Sequence, residues 1–261
     1  EIIVEVLVEE GVDVVFGYPG GTVINIYDAL LQNKDRIRHI LTAHEQGASH
    51  AADGYARATG KTGVVIATSG PGATNIVTGI ATAYMDSIPM VAITGNVTTD
   101  AMGRDSFQEV YIAGVTLPIT KHNFLVKNIE DLADTLREAF RIAQSGRPGP
   151  VLVDIPKDLT IASYEFEHKE IARPQHHVPV KEDDIKHLAE LINKSVRPVI
   201  YFGGGVISSR ASHELSELIN TCSIPACHTL MATGVLSYGD RLNLGMVGMH
   251  GHVSSSKAIN E

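Results

Sequence analysis

Glu45 is the first residue whose type and position could do chemistry. The run Ala48, Ala51, Ala52, Tyr55 has helical spacing and small side chains, which predicts a helix packed closely against neighbours. At about 100° per residue, His44 and Glu45 fall within or at the edge of the same apolar face. A carboxylate aimed partly inward can act as an acid, a base or an acceptor for a buried ligand. The plain alternative is that an acid in a helix's first turn answers the positive end of the macrodipole. Lys157, in Pro156-Lys157-Asp158, is a second candidate, either a substrate-facing charge or a solvated one. The remaining candidates sit in glycine-rich turns: Gly17-Tyr18-Pro19-Gly20-Gly21, Thr68-Ser69-Gly70-Pro71-Gly72, Gly95-Asn96 and Gly203-Gly204-Gly205.

These residues need elements to hold them. Residues 12–16, 37–42, 62–67, 89–94 and 150–154 read as strands, and 22–32, 45–59, 73–84 and 129–145 as helices, with a shorter helix at 2–10. Several strands are apolar on both faces, which suits a parallel sheet covered by helices on each side. Residues 1–160 therefore read as a doubly wound α/β domain. Residues 161–180, with prolines, mixed charges and His176-His177, read as a linker rather than a metal site. From 181 to 261 a second, Rossmann-like α/β unit begins: helices at 182–193 and 211–220, strands at 198–202 and 224–226. It has too few strands to be finished, so the chain is expected to be part of a longer one. In open parallel sheets ligands bind beyond the carboxyl ends of the strands. The polar and glycine-rich turns all follow predicted strands, so they share that edge.

Totals exclude other classes. The 261 residues carry a net charge of −9 and no Lys/Arg-rich run, which argues against nucleic acid and anionic membrane as partners. No apolar stretch is long enough to span a bilayer. Cys222 and Cys227 form neither a disulfide framework nor a zinc pattern, and they read as reduced, cytoplasmic thiols. A dinucleotide site fails on detail. In Gly70-Pro-Gly72-Ala-Thr-Asn75 an asparagine replaces the third glycine, and no acid ends the following strand. Neither glycine turn is a Walker A loop.

Together the loops are specific. FGYPGG (16–21), HEQGASHAADGYARATGK (44–61), TSGPGATN (68–75), DSFQE (105–109) and GRPGPVLVDIPKD (146–158) closely resemble the acetolactate synthase (acetohydroxyacid synthase) family of thiamine-diphosphate enzymes. The resemblance covers essentially the whole chain. It implies a pyrimidine-binding domain followed by a truncated, FAD-binding-like central domain. The implied activity is that of a transferase of valine, leucine and isoleucine biosynthesis. Two pyruvates give 2-acetolactate and CO₂, or pyruvate combines with 2-oxobutyrate. The implied cofactors are thiamine diphosphate, Mg²⁺ and FAD. The implied assembly is a homodimer or higher homo-oligomer, with pairing to a small regulatory subunit.

The resemblance also assigns roles. The acid at the position of Glu45 bonds the cofactor's pyrimidine ring and favours its imino tautomer, which the cofactor uses as an internal base. Tyr18, Gly20 and Gly21 correspond to the loop lining the cofactor and the reacting carbonyl, with Gly21 on the catalytic side. Thr68, Pro71 and Asn75 correspond to pyrimidine-side contacts. Phe107 lies between cofactor and substrate, and Gln108 donates to a keto-acid intermediate. Lys157 corresponds to a lysine at the channel mouth. Arg147, Gly203, Gly204, Gly205, Thr229, Leu230, Met249 and His250 correspond to FAD contacts. His44 and His50 read as helix packing.

Departures and rivals bound the expectation. Thr98 stands where many members have proline, and Met102, Arg104 and Ser106 are atypical in the same loop, which bears on channel shape. The Gly-Asp-Gly motif and downstream asparagine that hold Mg²⁺ in the family are absent, since Gly239-Asp240-Arg241 is not such a motif. No metal ligand is therefore expected in this chain, and the chain alone is expected to be inactive. The alternatives are another thiamine-diphosphate decarboxylase, carboligase or oxidase, and a non-catalytic partner module. Glu45 argues against glyoxylate carboligase, and Gln46-Gly47 against pyruvate oxidase. Ala48, Ala51, Ala52, Ala73, Gly79 and Ala81 suit close helix approach, and a two-fold dimer through helices 45–59 and 73–84 is expected.

Overall fold

Strands buried on both faces organise the first half of the chain. The computed structural model describes residues 1–171 and 179–261. The chain divides into two units, Glu1–His176 and His177–Glu261. His176 and His177 themselves lie outside the described residues.

In the first unit six strands form one parallel sheet: β1 (Val14–Gly17), β2 (Arg38–Leu41), β3 (Gly63–Ala67), β4 (Met90–Asn96), β5 (His122–Leu125) and β6 (Pro150–Pro156). Their order is β2-β1-β3-β4-β6-β5. Side chains alternate between two cores. Val15, Val64, Ile66, Val91, Ile93, Val151 and Val153 face α1 (Ile2–Glu9), α2 (Ile24–Gln32) and α7 (Leu132–Gln144). Phe16, Val65, Ala67, Met90, Ala92 and Leu152 face α3 (Glu45–Thr59), α4 (Pro71–Asn75), α5 (Val77–Asp86) and α6 (Ile112–Thr116). This is the doubly wound α/β arrangement. The strand order reverses between β1 and β3, the crevice where such folds take ligands.

The expected helix at 73–84 is two helices. It begins earlier, at Pro71, and is interrupted at Ile76. β5 has no counterpart among the strands expected from the sequence. It is the outer strand, paired only with β6, and its residues are half-buried or exposed, so it lacks the two-sided apolar signature of its neighbours. Glu9 holds the first part of the expected linker. It pairs with Arg137 at 2.8 Å and accepts from the Lys169 amide at 2.9 Å, and the Arg137 guanidinium lies over the Phe166 ring.

The second unit has α8 (Glu182–Lys194), β7 (Ile200–Phe202), α9 (Gly205–Ser208), α10 (Ser212–Cys222), β8 (Ala226–His228), β9 (Asn243–Met246) and α11 (Val253–Asn260). The parallel order is β7-β8-β9. β9 was not expected from the sequence, because its half-buried residues include Gly245 and carry no β-branched run. The core is small: Phe202, Ile219, Ala226, Ala232 and Leu236. Ile185, Leu188 and Leu191 on α8 are exposed, and no residue of that helix is buried.

Small residues let α3 lie close to its neighbours within the chain. A Cβ on Gly79 would overlap the Ser49 side chain, and one on Gly63 would overlap the Ala52 carbonyl. Gly54, in the same helix, has open space around it. Gly63→Ala is therefore expected to destabilise the protein by about 1–3 kcal/mol through overpacking. Gly54→Ala is expected to stabilise it by roughly 0.5–1 kcal/mol through helix propensity. Urea unfolding of the two variants beside the wild type checks the opposite signs.

Candidate functional site

Glu45 is the first residue of α3, where the chain leaves the carboxyl end of β2. The helix is capped by His44, whose extended backbone lets Nδ1 accept from the Gln46 amide at 3.1 Å. His44 thus has a capping role more specific than the expected packing. Glu45 is only 8% exposed. Its Oε2 accepts from Asn75 Nδ2 at 2.9 Å. Its Oε1 faces Gly72, where a Cβ would approach it to 3.2 Å. The helix start favours the charge of this acid, and a side chain from α4 takes hold of it. Tyr27 lies nearby and donates to the Ile66 carbonyl at 2.9 Å. Burial, and then the charge of Glu45, push its phenol far up, so it stays a neutral donor.

Two threonines tie the loops together at the switch point. The Oγ atoms of Thr22 and Thr68 lie 2.9 Å apart, and the Ser69 amide donates to Thr22 Oγ1 at 3.1 Å. Glycines clear the space around them. A Cβ on Gly20 would overlap Thr68, and one on Gly95 would overlap Thr22. Ser69 is 2% exposed, and its hydroxyl has no hydrogen-bond partner.

The loop at 97–109 is held by three carboxylates. Asp154, 3% exposed at the end of β6, accepts from Thr94 Oγ1 at 2.7 Å and Asn96 Nδ2 at 2.5 Å. Asn96 Oδ1 then accepts from the Val97 amide at 2.8 Å, which sets the loop's departure. Burial pushes the Asp154 carboxyl up to about 6, against the two hydrogen bonds that favour its charge. Asp158 accepts from Thr99 through the backbone amide at 3.0 Å and the hydroxyl at 2.6 Å. Glu109 accepts from the Gly103 and Ser106 amides. These N–H groups hold its carboxyl below the usual range. The loop then meets the Gly70 turn, where a Cβ would lie 2.8 Å from the Gln108 carbonyl oxygen.

The structure thus brings Glu45, Asn75, Thr68, Gly20, Pro71 and Gln108 to one edge. Tyr18 (42% exposed), Gly21, Phe107 (88%) and Lys157 stand at that edge with open surfaces. Arg147 lies elsewhere in the unit, before β6 at the sheet's amino-terminal edge. It donates to Ser87 Oγ at 2.6 Å and so closes the end of α5. In the second unit Gly203-Gly204-Gly205, Thr229, Leu230, Met249 and His250 follow the carboxyl ends of β7, β8 and β9. A Cβ on Gly203 would lie 3.4 Å from Thr229 Oγ1, so two of these turns are neighbours.

Sequence reasoning placed Gly72 and Asp158 only as members of their turns and missed Thr22, Asp154 and Glu109 as organisers of the edge. One signal was available: Ser106-Phe-Gln-Glu109 has capping-box spacing, and its reciprocal bond is present at 2.9 Å. The others are linked only by tertiary contacts.

A pyrimidine ring suits this edge. A buried carboxylate has one oxygen toward a glycine, a hydroxyl without a partner lies in the turn after β3, and neither Gly20 nor Gly72 has room for a Cβ. Among the described residues no group of three or more His, Cys, Asp or Glu side chains could hold a metal ion. Among the described residues, too, no helix is long and apolar enough to cross a membrane.

The chain matches two family models and a set of curated relatives. Residues 1–115 match the thiamine pyrophosphate enzyme N-terminal TPP binding domain, and residues 185–261 match the thiamine pyrophosphate enzyme central domain. The chain is 48% identical to a probable acetolactate synthase large subunit of Methanocaldococcus jannaschii, over 100% of this chain and 45% of the relative. It is 50% identical to an acetolactate synthase of Mycobacterium bovis, over 99% of this chain and 42% of the relative. It is 48% identical to the acetolactate synthase isozyme 1 large subunit of Escherichia coli, over 100% of this chain and 46% of the relative. The chain therefore spans under half the length of the relatives it matches.

The buried Asp154 carboxyl makes a pH prediction. Its folded pKa of about 6 lies above the ordinary aspartate value of about 3.9, so the native state binds the proton more tightly than the unfolded chain. Its stabilising contribution is complete below about pH 4 and is lost as pH rises through about 6. Asparagine keeps the shape and cannot ionise. The stability of Asp154→Asn relative to wild type is expected to rise between pH 4 and 7 by on the order of 3 kcal/mol. Urea unfolding at several pH values checks this, and parallel curves would show that Asp154 carries no shifted proton.

Proposed function

Because the chain belongs to the thiamine pyrophosphate enzyme family, we propose that the full-length protein is an acetolactate synthase large subunit. It joins two pyruvates into 2-acetolactate with loss of CO₂, or pyruvate with 2-oxobutyrate, in branched-chain amino-acid biosynthesis. The observation that carries this reading is the Glu45 carboxylate, buried, held by Asn75 and left open toward Gly72.

Thiamine diphosphate supplies the carbanion chemistry that breaks a 2-oxoacid's bond to its carboxylate. The chain's own residues bind and orient. Glu45 Oε1 would hold a proton toward the pyrimidine ring, and the bond from Asn75 to Oε2 fixes the carboxylate's plane for that role. Burial strengthens the interaction, because little water competes for it. Thr68, Pro71 and the Gly20-Gly21 turn would form the walls around the ring. Phe107 and Gln108 face the substrate side, with Gln108 as a donor to its oxygens. Lys157 places a cation at the same edge, suited to a 2-oxoacid carboxylate.

Other parts of the reading are proposals on the same footing. Gly203-Gly204-Gly205, Thr229, Leu230, Met249 and His250 would take FAD at their sheet edge. Mg²⁺ would be held by residues outside this chain. A homodimer, with a regulatory subunit, is the proposed assembly. Of the small residues suited to a dimer face, Ala48, Ala52, Ala73 and Gly79 also pack within the chain.

Glu45→Gln in the full-length enzyme tests the central claim. The swap keeps size and helix start and removes the charge that holds the proton toward the ring. Exchange of the cofactor's thiazolium C2 proton for deuterium is expected to slow by on the order of 10²-fold, with little change in unfolding temperature. An unchanged exchange rate would take Glu45 out of the mechanism.

A further inference from the structure

Glu109 carries the same loop as Phe107 and Gln108 but does not point where they do. Its carboxylate turns back into the loop and accepts from the Gly103 and Ser106 amides, while its own amide donates to the Ser106 carbonyl at 2.9 Å. Ser106 Oγ donates to the Ala101 carbonyl at 2.7 Å. These bonds close residues 101–109 on themselves.

The loop needs such closure. Gly103, Asp105 and Gln108 have φ of 75°, 54° and 61°, all in the left-handed region. For the two residues that are not glycine this conformation is disfavoured and persists only where surrounding bonds over-determine it. Gln108 in this conformation sits against Gly70, itself at φ 58° and without room for a Cβ. Gly70 begins the turn that leads through Pro71 to Asn75 and so to Glu45. Phe107, 88% exposed, is carried on the same arc.

We propose that Glu109 is a positioning residue: by holding the Gly103 and Ser106 amides, its carboxylate fixes Phe107 and Gln108 opposite the Gly70 turn and thereby sets which 2-oxoacid is accepted. This rests on the reading of that edge as the acetolactate synthase site. Glu109 does not itself touch substrate. Its lowered carboxyl pKa, caused by the same two N–H groups, agrees with a carboxylate bound at neutral pH.

The test uses the full-length holoenzyme with Glu109→Gln, Glu109→Ala and Glu109→Asp. Glutamine keeps the size but presents an NH₂ group to one of the two amides. Aspartate keeps the charge on a shorter arm. Backbone amide exchange at residues 103–106 is expected to quicken by roughly tenfold in Glu109→Gln and Glu109→Ala, the scale of one lost hydrogen bond. With pyruvate and 2-oxobutyrate supplied together, KM is expected to rise and the ratio of the two products to shift about threefold or more, the scale of a small change in fit. Thiamine-diphosphate affinity, read by calorimetry, should stay as in the wild type. Glu109→Asp should recover part of both losses.

Faster exchange with KM and product ratio unmoved would overturn the proposal, leaving only a loop clip. Cofactor affinity falling together with KM would overturn it too, because Glu109 would then act through the cofactor site's folding. The wild-type enzyme is assayed first. If it makes no 2-acetolactate, the functional reading fails before any variant is read, while amide exchange still reports whether the clip exists.

Discussion

The bond from Asn75 to Glu45 is the constraint on which the first unit's ligand edge depends. It joins the start of α3 to the end of α4, residues that follow different strands. For Glu45 to be there, the chain must leave β2 through the His44 cap rather than run on. For Asn75 to reach it, the helix after β3 must start close by, which Pro71 and a glycine without a side chain at 72 allow. The interruption at Ile76 follows the residue that makes the bond, and α5 then takes a separate path along α3. An acid at a helix start is common and cheap. What gives this one a direction is the amide that fixes its plane and the glycine that leaves one face open.

Around that bond the sheet works as a ruler. Parallel strands in register bring residues at their ends level with one another, as Thr94 and Asp154 are paired directly across β4 and β6. Thr22, Asn96 and Asp158 then act as rivets between successive loops. None of these three needs to reach a ligand. Their polar atoms bond within the protein where the strands end and backbone groups would otherwise lack partners.

Much of this was legible in the sequence, for reasons that can be named. β1, β3, β4 and β6 are buried on both faces, so their apolar runs stood out, and their ends placed the glycine turns at one edge. α3 was exact at both ends because His44 and Gly60 are strong stop signals, Gly60 having φ 72°. β5 and β9 were invisible because partly exposed strands carry mixed residues. Glu45 could be singled out by its place on an apolar face and, through the family's loops, by its role. Asp154 could not, since an acid inside an apolar run is indistinguishable from an interruption until Thr94 and Asn96 are seen to meet it. The bond from Arg147 to Ser87 at the end of α5 was not legible either, since it joins residues 60 positions apart.

The order of the sheet has a consequence for synthesis. β2, β1 and β3 are neighbours in space and consecutive in the chain, and Thr22, Glu45, Thr68 and Asn75 all belong to the same early stretch. Chains emerge from the ribosome amino end first, and domains can begin to order as they appear. The carboxylate and its asparagine are separated by only 30 positions, so bringing them together closes a short loop at small entropic cost. The pyrimidine half of the edge can therefore take shape while the strands of its far side, β4 to β6, are still being made. The loop that carries Phe107 and Gln108 cannot, because its anchors Asp154 and Asp158 arrive last in the unit.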